Sequence, residues 1–123
     1  VHSLWMKKPL VVYGDGNQTR DFIHVKDVVR ANIKASEVRT TGLDTYNICS
    51  EWRTSLNAIL ETLEKITRHK FRVVYEDPRE GEIQHSVGNN IKAKVSLEWE
   101  PSTTLHAGLE SLLKWRGVEC KIE

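Results

Sequence analysis

Arg20 and the run Arg79-Glu80-Gly81-Glu82 are the residues whose types point most directly to chemistry. An arginine holds a phosphate through paired N–H donors. Two arginines from separate loops can neutralise a diphosphate while a nearby carboxylate accepts hydrogen bonds from sugar hydroxyls. Surface ion pairing accounts for the same residues equally well on chemistry alone, so the choice between the two readings needs context. Gly14-Asp15-Gly16-Asn17-Gln18-Thr19 starts like a dinucleotide-binding loop, but Thr19 stands where the third glycine of G-x-G-x-x-G belongs. The residues that follow, Arg20-Asp21-Phe22-Ile23-His24, read as extended, so no helix N-terminus would receive a pyrophosphate there. The segment is therefore read as an ordinary turn.

Other chemistries find less support. His2, His24, His69, His85 and His106 are scattered and Cys49 and Cys120 lie far apart, which is not the short spacing a zinc site needs. No Ser, Cys and His motif organises a nucleophile. The cluster Lys65, Arg68, His69, Lys70 and Arg72 suits the negative pole of a helix end and does not by itself argue for nucleic acid. The four tryptophans are dispersed, as core residues would be.

The elements that must carry these residues can be read from periodicity. Leu10 to Tyr13 is β-rich and ends at the Gly14 to Asn17 turn, and Asp21 to Val25 reads as a second short extended piece. Lys26 to Val38 has helical spacing at Val28, Ala31, Ala35 and Val38, flanked by Val29 and Ile33, with Gly42 as its stop. Thr45 to Cys49 is predicted as a strand. Thr54 or Ser55 supplies a capping hydroxyl for a helix whose apolar face is Leu56, Ile59, Leu60, Leu63 and Ile66. Phe71 to Tyr75 is predicted as a strand, Glu76 to Gly88 as a polar surface loop and Asn89 to Leu97 as a short helix. A last helix spans about Thr104 to Arg116, with Leu105, Leu109, Leu112, Leu113 and Trp115 on its apolar side and Thr103 or Thr104 as cap. Helices alternating with short strands indicate an α/β or α+β architecture.

At 123 residues the chain has room for one domain, 1–123. Its 39% apolar and 28% charged residues suit a folded core, and a net charge of +1 gives no large field of one sign, so neither nucleic acid nor a membrane surface is an expected partner. No apolar run approaches the roughly 18 residues of a membrane span. With two cysteines and no secretory leader pattern, a reducing cytoplasm is the expected compartment. Val1 stands where a translated chain would usually show Met, and the chain is expected to begin inside a longer protein.

Val12-Tyr13-Gly14-Asp15-Gly16-Asn17-Gln18-Thr19-Arg20-Asp21-Phe22-Ile23-His24-Val25-Lys26-Asp27-Val28-Val29 closely resembles a segment of the extended short-chain dehydrogenase/reductase family, nearest to UDP-glucose 4-epimerases and related nucleotide-sugar epimerases and dehydratases. Later pieces agree in order: Tyr46-Asn47-Ile48, Thr54-Ser55-Leu56, Arg79-Glu80-Gly81-Glu82, Asn90-Ile91-Lys92-Ala93-Lys94, and Leu97-Glu98-Trp99-Glu100-Pro101 before a helix with Gly108-Leu109. The ordered series spans nearly the whole chain and is more specific than any one motif. It covers only the C-terminal part of such enzymes.

The resemblance implies an α/β (α+β-like) fold: a small mixed sheet with several packed helices, the C-terminal domain of an NAD(P)-binding Rossmann-type epimerase without its Rossmann domain. It implies that Arg20 and Arg79 bind the diphosphate of a UDP-sugar, that Glu82 accepts from the ribose hydroxyls, and that Val11 and Tyr13 border the nucleobase. NAD is implied for the full-length enzyme and not for this chain, which is expected to carry no catalytic residue. The residues four after Tyr13, Tyr46 and Tyr75 are Asn17, Ser50 and Arg79, so the family's Tyr-x-x-x-Lys pair is not in this sequence. Without the cofactor half, the chain would be inactive alone and would self-associate through the apolar face left open. Two departures stand out. The family's Arg-Pro-Gly-Asp or Glu is here Arg-Glu-Gly-Glu, a less rigid loop, and Ser86 stands where some relatives have Tyr or another larger residue near the sugar. The rival expectations are a stand-alone, non-catalytic nucleotide-binding module and a structural or oligomerising remnant with no ligand.

Overall fold

The computed structural model describes residues 8–39 and 41–117. In chain order its elements are β1 (Leu10–Tyr13), β2 (Thr19–Asp21), α1 (Val25–Glu37), β3 (Arg53–Ser55), α2 (Leu56–Thr67), β4 (Val73–Glu76), α3 (Ile91–Leu97) and α4 (Leu105–Trp115). This is the expected mixed α/β architecture. The mixture lies in two separate two-stranded ladders. One is parallel, β1 on β4, with Leu10 opposite Val73 and Tyr13 opposite Glu76. The other is antiparallel, β2 on β3, with Arg20 opposite Thr54. A single parallel bridge, Thr19 to His85, adds the post-β4 loop to the edge of β2.

Three of the four described helices, α1, α2 and α4, start where the sequence supplies a side-chain cap. The Ser55 hydroxyl accepts from the Ala58 N–H and opens α2, and the Thr104 hydroxyl accepts from the Ala107 N–H and opens α4. His24 Nδ1 accepts from the Lys26 N–H at 3.3 Å, and the His24 carbonyl accepts from Asp27 and Val28. That cap places the start of α1 at Val25, so the expected extended piece Asp21 to Val25 is shifted to Thr19–Asp21.

The predicted strand Thr45 to Cys49 does not form a ladder. Side chains have taken its backbone groups instead. Lys92 Nζ donates to the Thr45 carbonyl, and the Asn90 amide donates to the Cys49 carbonyl at 2.8 Å. Tyr46 and Ile48 still pack inward, against a core of Ala31, Ala93, Leu97 and Trp99 that joins α1 to α3. A second core of Leu63, Ile66 and Leu113, with Ile59, Phe71 and Leu109 beside it, joins α2 to α4. Leu56, Ile59, Leu60, Leu63 and Ile66 share one face by helical spacing, and its last members are the most deeply buried.

Asp27 ties the first core together. It is fully buried, and its carboxylate accepts from the Ser102 N–H and hydroxyl, from the Thr103 N–H, and from Arg30 at 2.6 Å. Its carbonyl accepts the indole N–H of buried Trp99 at 3.0 Å. Burial raises its pKa, but the donors of Ser102 and Thr103 outweigh that and hold the carboxyl below its ordinary value. Asp27→Ala would strand these donors and is expected to cost about 3 kcal/mol or more in urea unfolding. A depressed carboxyl pKa contributes stability that is present above the unfolded value, near 4, and lost as pH falls through the folded value. Wild-type stability is therefore expected to decline below about pH 4, and the decline should be shallower in the Asp27→Ala protein.

Candidate functional site

The turn between β1 and β2 is built for close approach. Gly14 and Gly16 have φ of +75° and +76°, which glycine adopts at little cost. A Cβ on Gly16 would overlap the Asn57 side chain at the start of α2. Asn57 backs this turn by donating to the Asp15 carbonyl at 3.0 Å, while its own backbone N–H donates to the Gly16 carbonyl. Hydrogen bonds from the Asn17 backbone and side-chain amides lower the Asp15 pKa. The turn runs into β2, a strand, so it presents no helix N-terminus and does not fit the pyrophosphate of a dinucleotide.

Beside this turn lies an open cavity of about 980 Å³, whose walls include Tyr13, Gln18, Tyr75, Asp77, Glu82 and Gln84. Tyr13 comes from the end of β1, opposite Glu76, and Tyr75 from β4, opposite Val12. Glu82 comes from the loop after β4, where Gly81 at φ +76° and a bond from the Glu82 N–H to the Arg79 carbonyl turn the chain.

Arg20 points to this wall from the middle of β2. Its guanidinium is 3.6 Å from Glu82 Oε1, and one N–H donates to the Thr19 carbonyl at 2.9 Å. The Arg79 guanidinium lies 3.9 Å from the centre of the Tyr13 ring, a cation–π contact. Two guanidinium groups thus contact a carboxylate and an aromatic ring that line one cavity, the four residues drawn from segments about sixty residues apart. Both arginines keep donors that a multivalent anion can take, and Glu82 can exchange Arg20 for hydroxyl donors.

Of the five expected ligand-contacting residues, Tyr13 and Glu82 line the cavity, and Arg20 and Arg79 contact them, Arg20 at Glu82 and Arg79 over the Tyr13 ring. Val11 is not with them: it is half exposed on β1 and does not line the cavity. Three contributors escaped the reading of the sequence. Gln18 is 4% exposed and donates to the Tyr13 carbonyl at 2.7 Å, closing the turn from inside. Tyr75 lines the cavity and donates its hydroxyl to Asn57 at 3.1 Å. Asp21, next to Arg20, gathers four donors. Gln18 alone had a local signal, a polar side chain between turn and strand. The other two depend on pairings between distant segments. Among the described residues no group of three or more His, Cys, Asp or Glu side chains could hold a metal ion; His2 and Cys120 lie outside the described residues. Burial, followed by the charge of Asp21, pushes the Cys49 thiol pKa up, the opposite of an activated nucleophile.

Comparison with known proteins places these features in a wider context. A family model described as GDP-mannose 4,6 dehydratase matches residues 2–112. The chain is 33% identical over 105 residues to a putative UDP-glucose 4-epimerase of Methanocaldococcus jannaschii, covering 85% of this chain and 33% of that protein. Among solved structures, the UDP-glucose 4-epimerase of Thermotoga maritima with UDP-glucose superposes with a TM-score of 0.85 at 32% identity, over 95% of this chain and 38% of that one. The UDP-glucuronic acid 4-epimerase of Bacillus cereus, in complex with UDP-glucuronic acid and NAD, gives 0.84 at 29% identity, over 92% of this chain and 36% of that one. This chain spans about a third of the length of the relatives it matches.

Proposed function

This chain belongs to the GDP-mannose 4,6-dehydratase family, matched over residues 2–112, and from that premise we propose that it is the nucleotide-sugar-binding portion of an NAD-dependent UDP-sugar epimerase or dehydratase. The observation that carries the reading is that Arg20 and Arg79 contact Glu82 and Tyr13, two residues that line one cavity. In this reading an entering diphosphate takes the free donors of both arginines. Arg20 then leaves Glu82, whose carboxylate turns to the ribose hydroxyls, and Arg79 leaves the Tyr13 ring, which becomes free to border the base. Each charge-assisted bond of this kind contributes about 1.5–3 kcal/mol. The work done by these residues is binding and orientation, which lowers the entropic part of a barrier without any proton transfer from this chain.

NAD would supply the redox chemistry of the whole enzyme. The Gly14 to Thr19 turn does not fit it, so in this proposal residues outside these 123 hold it, and the chain is inactive without them. The cytoplasm is the compartment that goes with this reading. UDP titrated into the chain by calorimetry is expected to bind saturably but weakly, on the order of 0.1–1 mM, because only part of the pocket's binding energy is present. Arg20→Ala combined with Arg79→Ala should weaken that by about 10-fold or more. Equal affinity in the double variant would sink the reading.

The proposal extends to self-association. Val25, Val29 and Ile33 on α1, and Ile91 and Val95 on α3, are exposed, and they recur at intervals of four that put each set on one face. The isolated chain is expected to pair with a second copy through these faces. Sedimentation equilibrium should give a weight-average mass that rises with concentration, and the rise should vanish in Val29→Asp plus Val95→Asp. A monomer mass at all concentrations would contradict it.

A further inference from the structure

β2 is three residues long, with Arg20 at its centre, and a strand that short cannot hold an arginine in place by its ladder alone. Its two flanking residues do so from either side. On one side, the Thr19 N–H donates to the Gln84 carbonyl at 2.8 Å, the Thr19 carbonyl accepts from Ser86, and the Thr19 hydroxyl meets His85 Nδ1 at 2.9 Å. On the other, the Asp21 carboxylate reaches the same segment two residues further on, where Gly88 donates its N–H to Oδ2 at 3.2 Å. The same carboxylate accepts from the Ser50 N–H at 2.7 Å, the Ser50 hydroxyl at 2.6 Å and the Glu51 N–H at 3.0 Å. One side chain thus joins β2, the 49–51 loop and the segment that carries Glu82.

Two backbone features show how tightly this junction is drawn. Glu51 has φ of +64°, a conformation that costs a non-glycine residue about 1–2 kcal/mol. It is held there by its own N–H on Asp21 and by its carboxylate, which accepts from the Asn90 N–H and from Lys94. Gly88 lies so close to Cys49 that a Cβ built on it would stand 2.5 Å from the sulfur. The junction therefore requires a glycine at 88 and a strained residue at 51, both within reach of the Asp21 carboxylate.

We infer that Asp21 is the positioning residue of the diphosphate site, fixing the Arg20 strand against the segment that delivers Glu82 and, through the turn at Gly81, Arg79. The inference rests on the binding function proposed above. Asp21 touches no ligand in this account; it presets the spacing of the groups that do. Removing its charge would let the 82–88 segment drift from β2, and a displacement of about 1 Å is enough to weaken a bidentate contact severely.

Asp27 provides the matched control, because it too is a carboxylate with several backbone and hydroxyl donors, placed in the α1–α3 core and not at the cavity. UDP affinity of the folded chain would be measured for wild type, Asp21→Asn, Ser50→Ala and Asp27→Asn, each at a temperature where circular dichroism shows it folded. Asp21→Asn should bind UDP about 10-fold or more weakly, and Ser50→Ala, which removes one of four donors, a few-fold more weakly. Asp27→Asn should lower the melting temperature at least as much as Asp21→Asn while keeping wild-type affinity within about twofold. If Asp21→Asn does not fold, Ser50→Ala against Asp27→Asn carries the test. Wild-type binding with unchanged affinity in the Asp21 and Ser50 variants, or an equal loss in Asp27→Asn, would overturn the inference alone. No saturable binding of UDP by the folded wild type would overturn the proposed function and the inference together.

Discussion

Backbone donors withdrawn from water have to find acceptors, and this chain meets that constraint with carboxylates rather than with sheet. Its ladders are four and three residue pairs long, too short to satisfy the long segments between helices. Asp21 and Asp27 take over that task, each collecting N–H and O–H groups from parts of the chain far apart in sequence. Asp27 closes the α1–α3 core around Trp99, and Asp21 closes the cavity wall around Arg20. Because a carboxylate offers several lone pairs in one place, a single residue can fix three segments at once, at the cost of leaving several buried donors unpaired if it is removed.

This arrangement explains how side chains on loops can be held in fixed positions. Arg79 and Glu82 sit in a segment with no regular structure of its own. That segment is held at Thr19 and Asp21, on the two sides of Arg20. Rigid placement of the arginines matters because the run from Arg79 to Glu82 reads Arg-Glu-Gly-Glu, with no proline between the arginine and the carboxylate. The stiffness that proline would supply locally is supplied instead by bonds across the chain.

Helices were the most legible elements, since caps and apolar spacing are local: Ser55 before Leu56, and Thr104 before Leu105, act as their positions suggest. β1 and its glycine turn were legible for the same reason. Thr45 to Cys49 was misread because β-prone residues say nothing about which partner claims the backbone, and here Asn90 and Lys92 claim it. Within the site, the arginines and Glu82 could be singled out by type, and the family resemblance supplied their order. Their convergence could not be read from spacing, since Glu82 is 62 residues beyond Arg20. Asp21, Gln18 and Tyr75 escaped notice because each acts through a contact that exists only once the chain has closed. The family resemblance set Val11 beside the base with Tyr13, and alternation along β1 puts the two on one face of the strand, but only Tyr13, at the strand's end, lines the cavity.

The central claim is that a diphosphate docks on Arg20 and Arg79 at this cavity. Mapping the amide and arginine Nε–H resonances of isotopically labelled protein during addition of UDP tests it most directly. The account predicts that the side-chain signals of Arg20 and Arg79 move furthest, together with the backbone amides of Tyr13, Glu82 and Gly88, and that those of Leu63 and Leu113 in the α2–α4 core stay still. Shifts centred on another surface, or no shift at either arginine at saturating UDP, would contradict it.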